Sequence, residues 1–207
     1  MKEALVIVDL QYDFMPDGAL GVKGGDEIIP IINMLSGKFD YTFASLDWHP
    51  KGHVSFAKSH GKNVGDTIDL DGQLQELWPE HCVQNTHGAS VVKELKKDHI
   101  DRFIHKGTDK EIDSYSAFFD NDHEKETGLD DYLRERGVTK LYFAGLTTDF
   151  CVRYSALDAL ELGYEVAVIS DACRAVFDEK KALSEMKKAG ALIIKSSDLG
   201  VKNAFSK

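Results

Sequence analysis

Two residues able to move protons and one able to form a covalent bond stand where apolar runs end. Cys151 lies in Gly145-Leu146-Thr147-Thr148-Asp149-Phe150-Cys151-Val152, between a predicted strand and a predicted helix. A thiol at a helix N-terminus meets the positive end of the helix dipole, which favours the thiolate. The amides of such a turn also face the space where an oxyanion would form, and Asp149 is expected to cap the helix. Asp9 follows Leu5-Val6-Ile7-Val8, and a carboxylate at the rim of a buried strand is unfavourable unless paired. Lys106 stands in the same relation to the run beginning at Arg102. One reading makes Asp9 and Lys106 a structural ion pair and Cys151 a small buried hydrophobe. The other makes Asp9 the general base for the thiol and Lys106 the cation that favours the thiolate. Both readings require the same contact.

A second group has the chemistry of a metal site. Asp47-Trp48-His49-Pro50-Lys51-Gly52-His53 places a carboxylate and two imidazoles within seven residues, and His81 follows Trp78-Pro79-Glu80. Carboxylate and neutral imidazole ligands suit one divalent transition metal: Zn first, with Fe or Mn also compatible. The ligand candidates are Asp47, His49 and His81, followed by His53.

The elements that would position these groups alternate along the chain. Strands are predicted at Ala4–Leu10, Tyr41–Trp48, Arg102–Gly107, Lys140–Gly145, Glu165–Asp171 and Ala191–Ser196. Most are nearly continuously apolar, as parallel strands buried on both faces must be. Helices are predicted at Asp26–Ser36, Ala89–Lys97, Gly128–Arg136, Cys151–Leu162 and Asp178–Ala189. The pattern predicts an α/β, doubly wound, six-stranded, mostly parallel sheet with helices on both faces, as a single domain over residues 1–207. Pro50–Gly88 and Thr108–Thr127 are long enough to be binding loops. Ligands in open α/β sheets bind beyond the carboxyl ends of the strands, where Asp9, Asp47, Lys106 and Asp171 would gather with Cys151.

Bulk properties narrow the partners. A net charge of −10 over 207 residues disfavours nucleic acid and anionic membranes. No run approaches the ~20 apolar residues of a membrane span, and the first residues read as a strand and not a signal peptide. Three scattered cysteines cannot build a disulfide framework, which favours a reducing cytoplasm. A small-molecule substrate is expected, and a homo-oligomer is compatible with the sequence.

The motifs resemble a known family. Val8-Asp9-Leu10-Gln11-Tyr12-Asp13-Phe14, Asp47-Trp48-His49-Pro50, Trp78-Pro79-Glu80-His81-Cys82, His105-Lys106-Gly107, Asp113-Ser114-Tyr115 and Gly145–Val152 run in the order seen in nicotinamidases/pyrazinamidases. That family lies within the isochorismatase-like cysteine hydrolases. The resemblance implies a six-stranded parallel sheet, a catalytic triad of Asp9, Lys106 and Cys151, and a metal on Asp47, His49 and His81. His53 is then a fourth ligand or a contact to a metal-bound water. The resemblance also implies an oxyanion hole from the amides of Thr147 and Cys151, after a cis peptide from Leu146. Phe14, Trp78, Tyr115 and Gln11 become the substrate-binding residues. Here Thr147 stands where the family often has Ala, and Phe150 where it has Tyr or His. The implied reaction is hydrolysis of nicotinamide to nicotinate and ammonia in NAD salvage, with pyrazinamide as a further substrate. The rival readings are a metal-centred or other small-amide hydrolase of the same superfamily, and a non-catalytic small-molecule binding protein.

Overall fold

Strand β1 (Lys2–Val8) carries the logic of the whole sheet: Ala4, Val6 and Val8 enter one core, while Leu5 and Ile7 enter another. Both faces are covered, so the alternation of period two is apolar on either side and the strand reads as one continuous hydrophobic run. The structure is a computed structural model that describes residues 1–70 and 72–201. Among these residues, β1 is followed by β2 (Tyr41–Asp47), β3 (Thr67–Leu70), β4 (Gln73–Glu76), β5 (Arg102–Lys106), β6 (Val138–Leu146), β7 (Glu165–Arg174) and β8 (Leu192–Ile194). Six of these form a sheet in the order β5-β2-β1-β6-β7-β8, and each pairing is parallel.

The helices are α1 (Ile29–Leu35), α2 (Leu129–Glu135), α3 (Arg153–Glu161) and α4 (Glu179–Ala189). Helices α2, α3 and α4 supply Leu129, Leu133, Ala156, Ala159 and Met186 to the first core. Helix α1 supplies Ile29, Ile31, Ile32 and Leu35 to the second. Sequence signals set the limits of α4, where the Asp178 carboxylate accepts from the Lys181 amide at 2.9 Å and Gly190 leaves in the left-handed conformation.

The expected helix at Ala89–Lys97 is absent. This segment is an irregular strip over the second core, to which it adds Ala89, Val92 and Leu95. Its backbone bonds run instead to the stretch after β1: Tyr12 N donates to Ser90 O at 3.1 Å and Val92 N to Leu10 O at 3.1 Å. The β-branched pair Val91-Val92 suits that extended pairing better than a helix. Conversely, the long Pro50–Gly88 connection contains the unforeseen β3–β4 antiparallel hairpin.

Two element boundaries decide which side chains reach the carboxyl edge of the sheet. Strand β7 continues past Asp171 to Arg174, and the Asp171 carboxylate accepts from Ser196 N at 2.7 Å and Ser196 Oγ at 2.6 Å. Asp171 therefore binds the segment after β8 and does not join Cys151. Helix α3 begins at Arg153, preceded by a π-helical turn over Thr148–Val152 that contains Cys151. The expectation of a helix starting at Cys151 is two residues early.

Candidate active site

The strand order turns a set of sequence-distant residues into neighbours. Reading across the carboxyl edge through β5, β2, β1 and β6 gives Lys106, Asp47, Asp9 and then the turn bearing Cys151. Asp47 and Lys106 are direct partners in register. The chain leaves β1 toward β2 and β5 on one side and returns at β6 on the other, so Asp9 and Cys151 flank the point where the winding reverses. Gly145 makes their approach feasible. It has a φ of +126°, and a Cβ there would lie 2.1 Å from the Val8 carbonyl oxygen.

Lys106 is the hub. Its buried ammonium lies 2.5 Å from Asp47 Oδ1, 2.9 Å from the Ser114 carbonyl, 3.0 Å from Asp9 Oδ2 and 3.4 Å from Cys151 Sγ. Asp9 sits in a left-handed conformation (φ +51°) and accepts from Ser45 Oγ through Oδ1 at 2.7 Å. Its Oδ2 makes no hydrogen bond of good geometry, so the contact with Lys106 is an ion pair by distance alone. Oxygens of Asp9 and Asp47 and the Cys151 sulfur all lie within 4.8 Å of one another.

The two carboxylates respond differently to this crowd. Burial raises Asp9, and the Lys106 charge opposes that only in part. Asp47 is also penalised by burial, yet Lys106 and then His49 hold it well below the usual carboxylate range. The two acids are thus pushed apart, Asp47 toward its anion and Asp9 toward its neutral acid. Burial also pushes the Cys151 thiol well above its ordinary value, with Lys106 opposing and Asp9 reinforcing. Desolvation beside two carboxylates thus works against the thiolate that a helix dipole and Lys106 would favour.

The candidate metal donors converge on the second oxygen of Asp47. His49 Nε2 lies 3.5 Å and His81 Nε2 3.7 Å from Asp47 Oδ2. The other ring nitrogens are occupied by carbonyls: His49 Nδ1 donates to Gly107 O at 3.0 Å and His81 Nδ1 to Pro79 O at 2.8 Å. In the neutral rings both Nε2 lone pairs then face a carboxylate oxygen, all within 4.8 Å of one another. Against the effect of burial, Asp47 accordingly raises the His49 pKa, so that a proton or a cation is drawn to this point. A divalent cation resolves such a meeting of acceptors, and backbone carbonyls behind the imidazoles are the usual second layer. The donor set fits a divalent metal. His53 stands apart: Nδ1 contacts Ser55 Oγ at 2.8 Å and Nε2 the Ile112 carbonyl at 3.3 Å, and burial lowers its pKa to about 4. Its donor atom groups with His49 and Asp113 and not with Asp47 and His81.

Between thiol and imidazoles lies a pocket with about 340 Å³ of empty space including its mouth; Phe14, Trp78, Tyr115, Phe150 and Thr147 share its wall with Cys151, Asp47, His49 and His81. Trp78 Nε1 donates to the Tyr115 hydroxyl at 3.1 Å, and Trp78 packs edge-on to Phe150 at 4.8 Å. The peptide between Leu146 and Thr147 is cis.

Gln11 is not in that wall. Its Nε2 donates to Asp47 O at 2.7 Å and Ala89 O at 2.8 Å, while its Oε1 accepts from Asp47 N at 2.8 Å. Its substrate-binding assignment is corrected to a tether of the Asp47 backbone. Asp149 does not cap its own helix either; its carboxylate accepts from the amides of Val176, Phe177 and Asp178. The sequence assigned no site role to Ser45, Ser114, Phe150, Leu20 or Val176, although Ser114 and Phe150 stand within its motifs. Only Ser45 carried a signal, since a hydroxyl inside the apolar run of β2 needs a buried partner.

An isochorismatase domain model matches residues 3–198. A nicotinamidase of Escherichia coli is 44% identical over 203 residues, covering 94% of this chain and 95% of the relative. The structure of an Acinetobacter baumanii nicotinamidase/pyrazinamidase superposes with a TM-score of 0.93 at 44% identity, covering 96% of this chain and 98% of that one. A Pyrococcus horikoshii pyrazinamidase in complex with zinc superposes with a TM-score of 0.78 at 40% identity, covering 94% and 99%.

Proposed function

The chain belongs to the isochorismatase family, and from that premise we propose that it is a nicotinamidase, hydrolysing nicotinamide to nicotinate and ammonia through a Cys151 thioester. The observation that carries this reading is one pocket with a buried thiol on one wall and an Asp-His-His donor set on the other, floored by aromatic rings. Such a wall suits a flat ring whose carboxamide must reach sulfur while its ring nitrogen reaches a metal. Pyrazinamide has the same two features and is proposed as a second substrate.

Asp9 takes the Cys151 proton as sulfur bonds to the carboxamide carbon. The charge forming on oxygen is held by the Thr147 and Cys151 amides; losing one such donor typically slows turnover ~10²–10³-fold. The C–N bond then breaks, Asp9 returns the proton to nitrogen, and ammonia leaves a nicotinoyl thioester. Water attacks that carbon as Asp9 accepts its proton; the C–S bond then breaks, Asp9 returns the proton to sulfur, and the acid leaves and ionises to nicotinate. Lys106 keeps its charge throughout, steadying Asp9 and the transient sulfur anion. Asp47, His49 and His81 would hold a divalent ion, zinc by preference, which supplies a Lewis-acidic anchor for the pyridine nitrogen.

Nicotinate is the product that NAD salvage consumes, and three free buried thiols suit a reducing cytoplasm. No described helix is long and apolar enough to cross a membrane. The test is ammonia release from nicotinamide by the zinc-loaded protein and by Cys151→Ala. Release by the wild type alone is expected. Comparable release by the variant would exclude the thioester route and favour a metal-centred hydrolase.

A further inference from the structure

Asp149 stands two residues before the sulfur, in the same π-helical turn. Its carboxylate nonetheless serves another segment, accepting from Val176 N at 3.0 Å, Phe177 N at 2.7 Å and Asp178 N at 3.2 Å. Three successive amides turned onto one nearly buried carboxylate fix the path of the turn between β7 and α4. Val176 is part of the pocket wall. Phe177 is 67% exposed, an unusual place for so large an apolar ring. It lies nearly parallel to Trp78 at 6.2 Å and tilted against Phe150 at 6.1 Å, both of which line the pocket. Phe177 also borders a separate cleft together with Arg153, Lys181 and Glu185. The backbone that carries this ring at the edge of the pocket is held by its three bonds to Asp149.

We infer that the Val176–Asp178 turn is the outer lip of the pocket and that Asp149 is the positioning residue that keeps it closed over a bound aromatic carboxamide. The inference rests on the nicotinamidase reading for its ligand but not for its mechanics. Closing the lip lays Phe177 against the rings that grip the substrate and withdraws it from water; opening it exposes the substrate equally in ground and transition states. The lip should therefore act on binding, raising KM when loosened without a matching fall in kcat. The carboxylate is the right group for this, because it offers acceptors on both oxygens, whereas an amide side chain presents a donor at one of them.

The experiment pairs Asp149→Asn with Phe177→Ala and reads two quantities on the zinc-loaded protein. The first is hydrogen exchange at the amides of Val176, Phe177 and Asp178, which needs no substrate. The second is KM and kcat for nicotinamide with the inhibition constant of nicotinate. For Asp149→Asn the expected result is exchange about tenfold faster or more at these amides. KM and the nicotinate constant should rise together by about tenfold, with kcat within about twofold. Phe177→Ala should raise KM in the same direction without touching the turn that holds Cys151. Unchanged exchange in Asp149→Asn overturns the clamp. Unchanged KM in both variants overturns the lip, and a fall in kcat at constant KM would place Asp149 in support of the nucleophile instead. A wild-type protein that releases no ammonia from nicotinamide refutes the substrate reading, and the exchange result then decides the clamp by itself.

Discussion

Replacing Gln11 with Met keeps the length of the side chain and removes its amide. Three backbone groups lose their partner: the Asp47 carbonyl, the Ala89 carbonyl and the Asp47 N–H, bonded now at 2.7, 2.8 and 2.8 Å. Gln11 is fully buried, so bulk water cannot readily take its place. At a lower bound of ~1 kcal/mol for each buried group left unpaired, the variant should lose about 3 kcal/mol of unfolding free energy. Domains of this kind have only ~5–15 kcal/mol in total, so the shift is easily read in urea at pH 7. The second effect is on the metal. Asp47 is the donor shared by His49 and His81, and releasing its backbone should weaken zinc binding ~10–100-fold, the usual range for losing an outer support. Urea unfolding of the metal-free protein and zinc titration against a competing chelator measure the two effects separately. A stability loss below about 1 kcal/mol with an unaltered zinc Kd would refute the tether. So would a rise in KM for nicotinamide as the sole change, which would return Gln11 to the substrate site.

Two further outcomes arise from the charges. Burial works against the charged form of Lys106, but Asp47 and Asp9 outweigh it and raise its pKa, while Asp47 is lowered. A raised lysine stabilises below its unfolded pKa, and a lowered carboxylate stabilises above its own, so the pair supports the fold across the neutral range. Lys106→Met should cost about 3–5 kcal/mol at pH 7 by leaving two buried carboxylates unpaired. The loss should shrink on acidification as they take up protons, and equal urea midpoint losses at pH 7 and pH 5 would contradict this. For Cys151, alkylation by iodoacetamide in the substrate-free protein should keep accelerating above the ~8.5 of an ordinary thiol, with activity lost in proportion. A plateau below neutrality, with the modified residue identified by mass spectrometry, would show a resting thiolate.

How much of the site was legible in the sequence depends on the range of each interaction. Asp9, Asp47 and Lys106 announce themselves because a charge at the end of a strand buried on both faces has few benign explanations, and the parallel topology then gathers strand ends at one edge. The Asp47–Trp48–His49 cluster is similarly local. Asp171 obeyed the same rule and misled, because β7 runs on to Arg174 and the carboxylate binds Ser196. The Ala89–Lys97 helix failed for a related reason: its backbone bonds are taken by Leu10 and Tyr12, nearly eighty residues away in sequence. The hairpin of β3 and β4 had a turn signal in Asp71-Gly72, but its strands alternate too weakly to stand out in a long connection. The tether formed by Gln11 and the partners of Asp149 were beyond reach. Each is decided by which groups the folded chain brings alongside, and no local pattern encodes that.

Asp47 presents one oxygen to Lys106 and the other to His49 and His81. The proposed covalent and ion-binding halves of the pocket thus share a single carboxylate, which couples them. A lineage that lost the imidazoles would still need this acid to neutralise the lysine. One that lost the lysine would leave the acid buried without its ammonium partner. Substitutions at 47, 49 and 106 should therefore show strong epistasis, and an Asp47 variant that loses activity cannot be scored as a metal-binding defect alone. Variants made in both the Lys106 and His49 backgrounds would give the size of the coupling between the two halves.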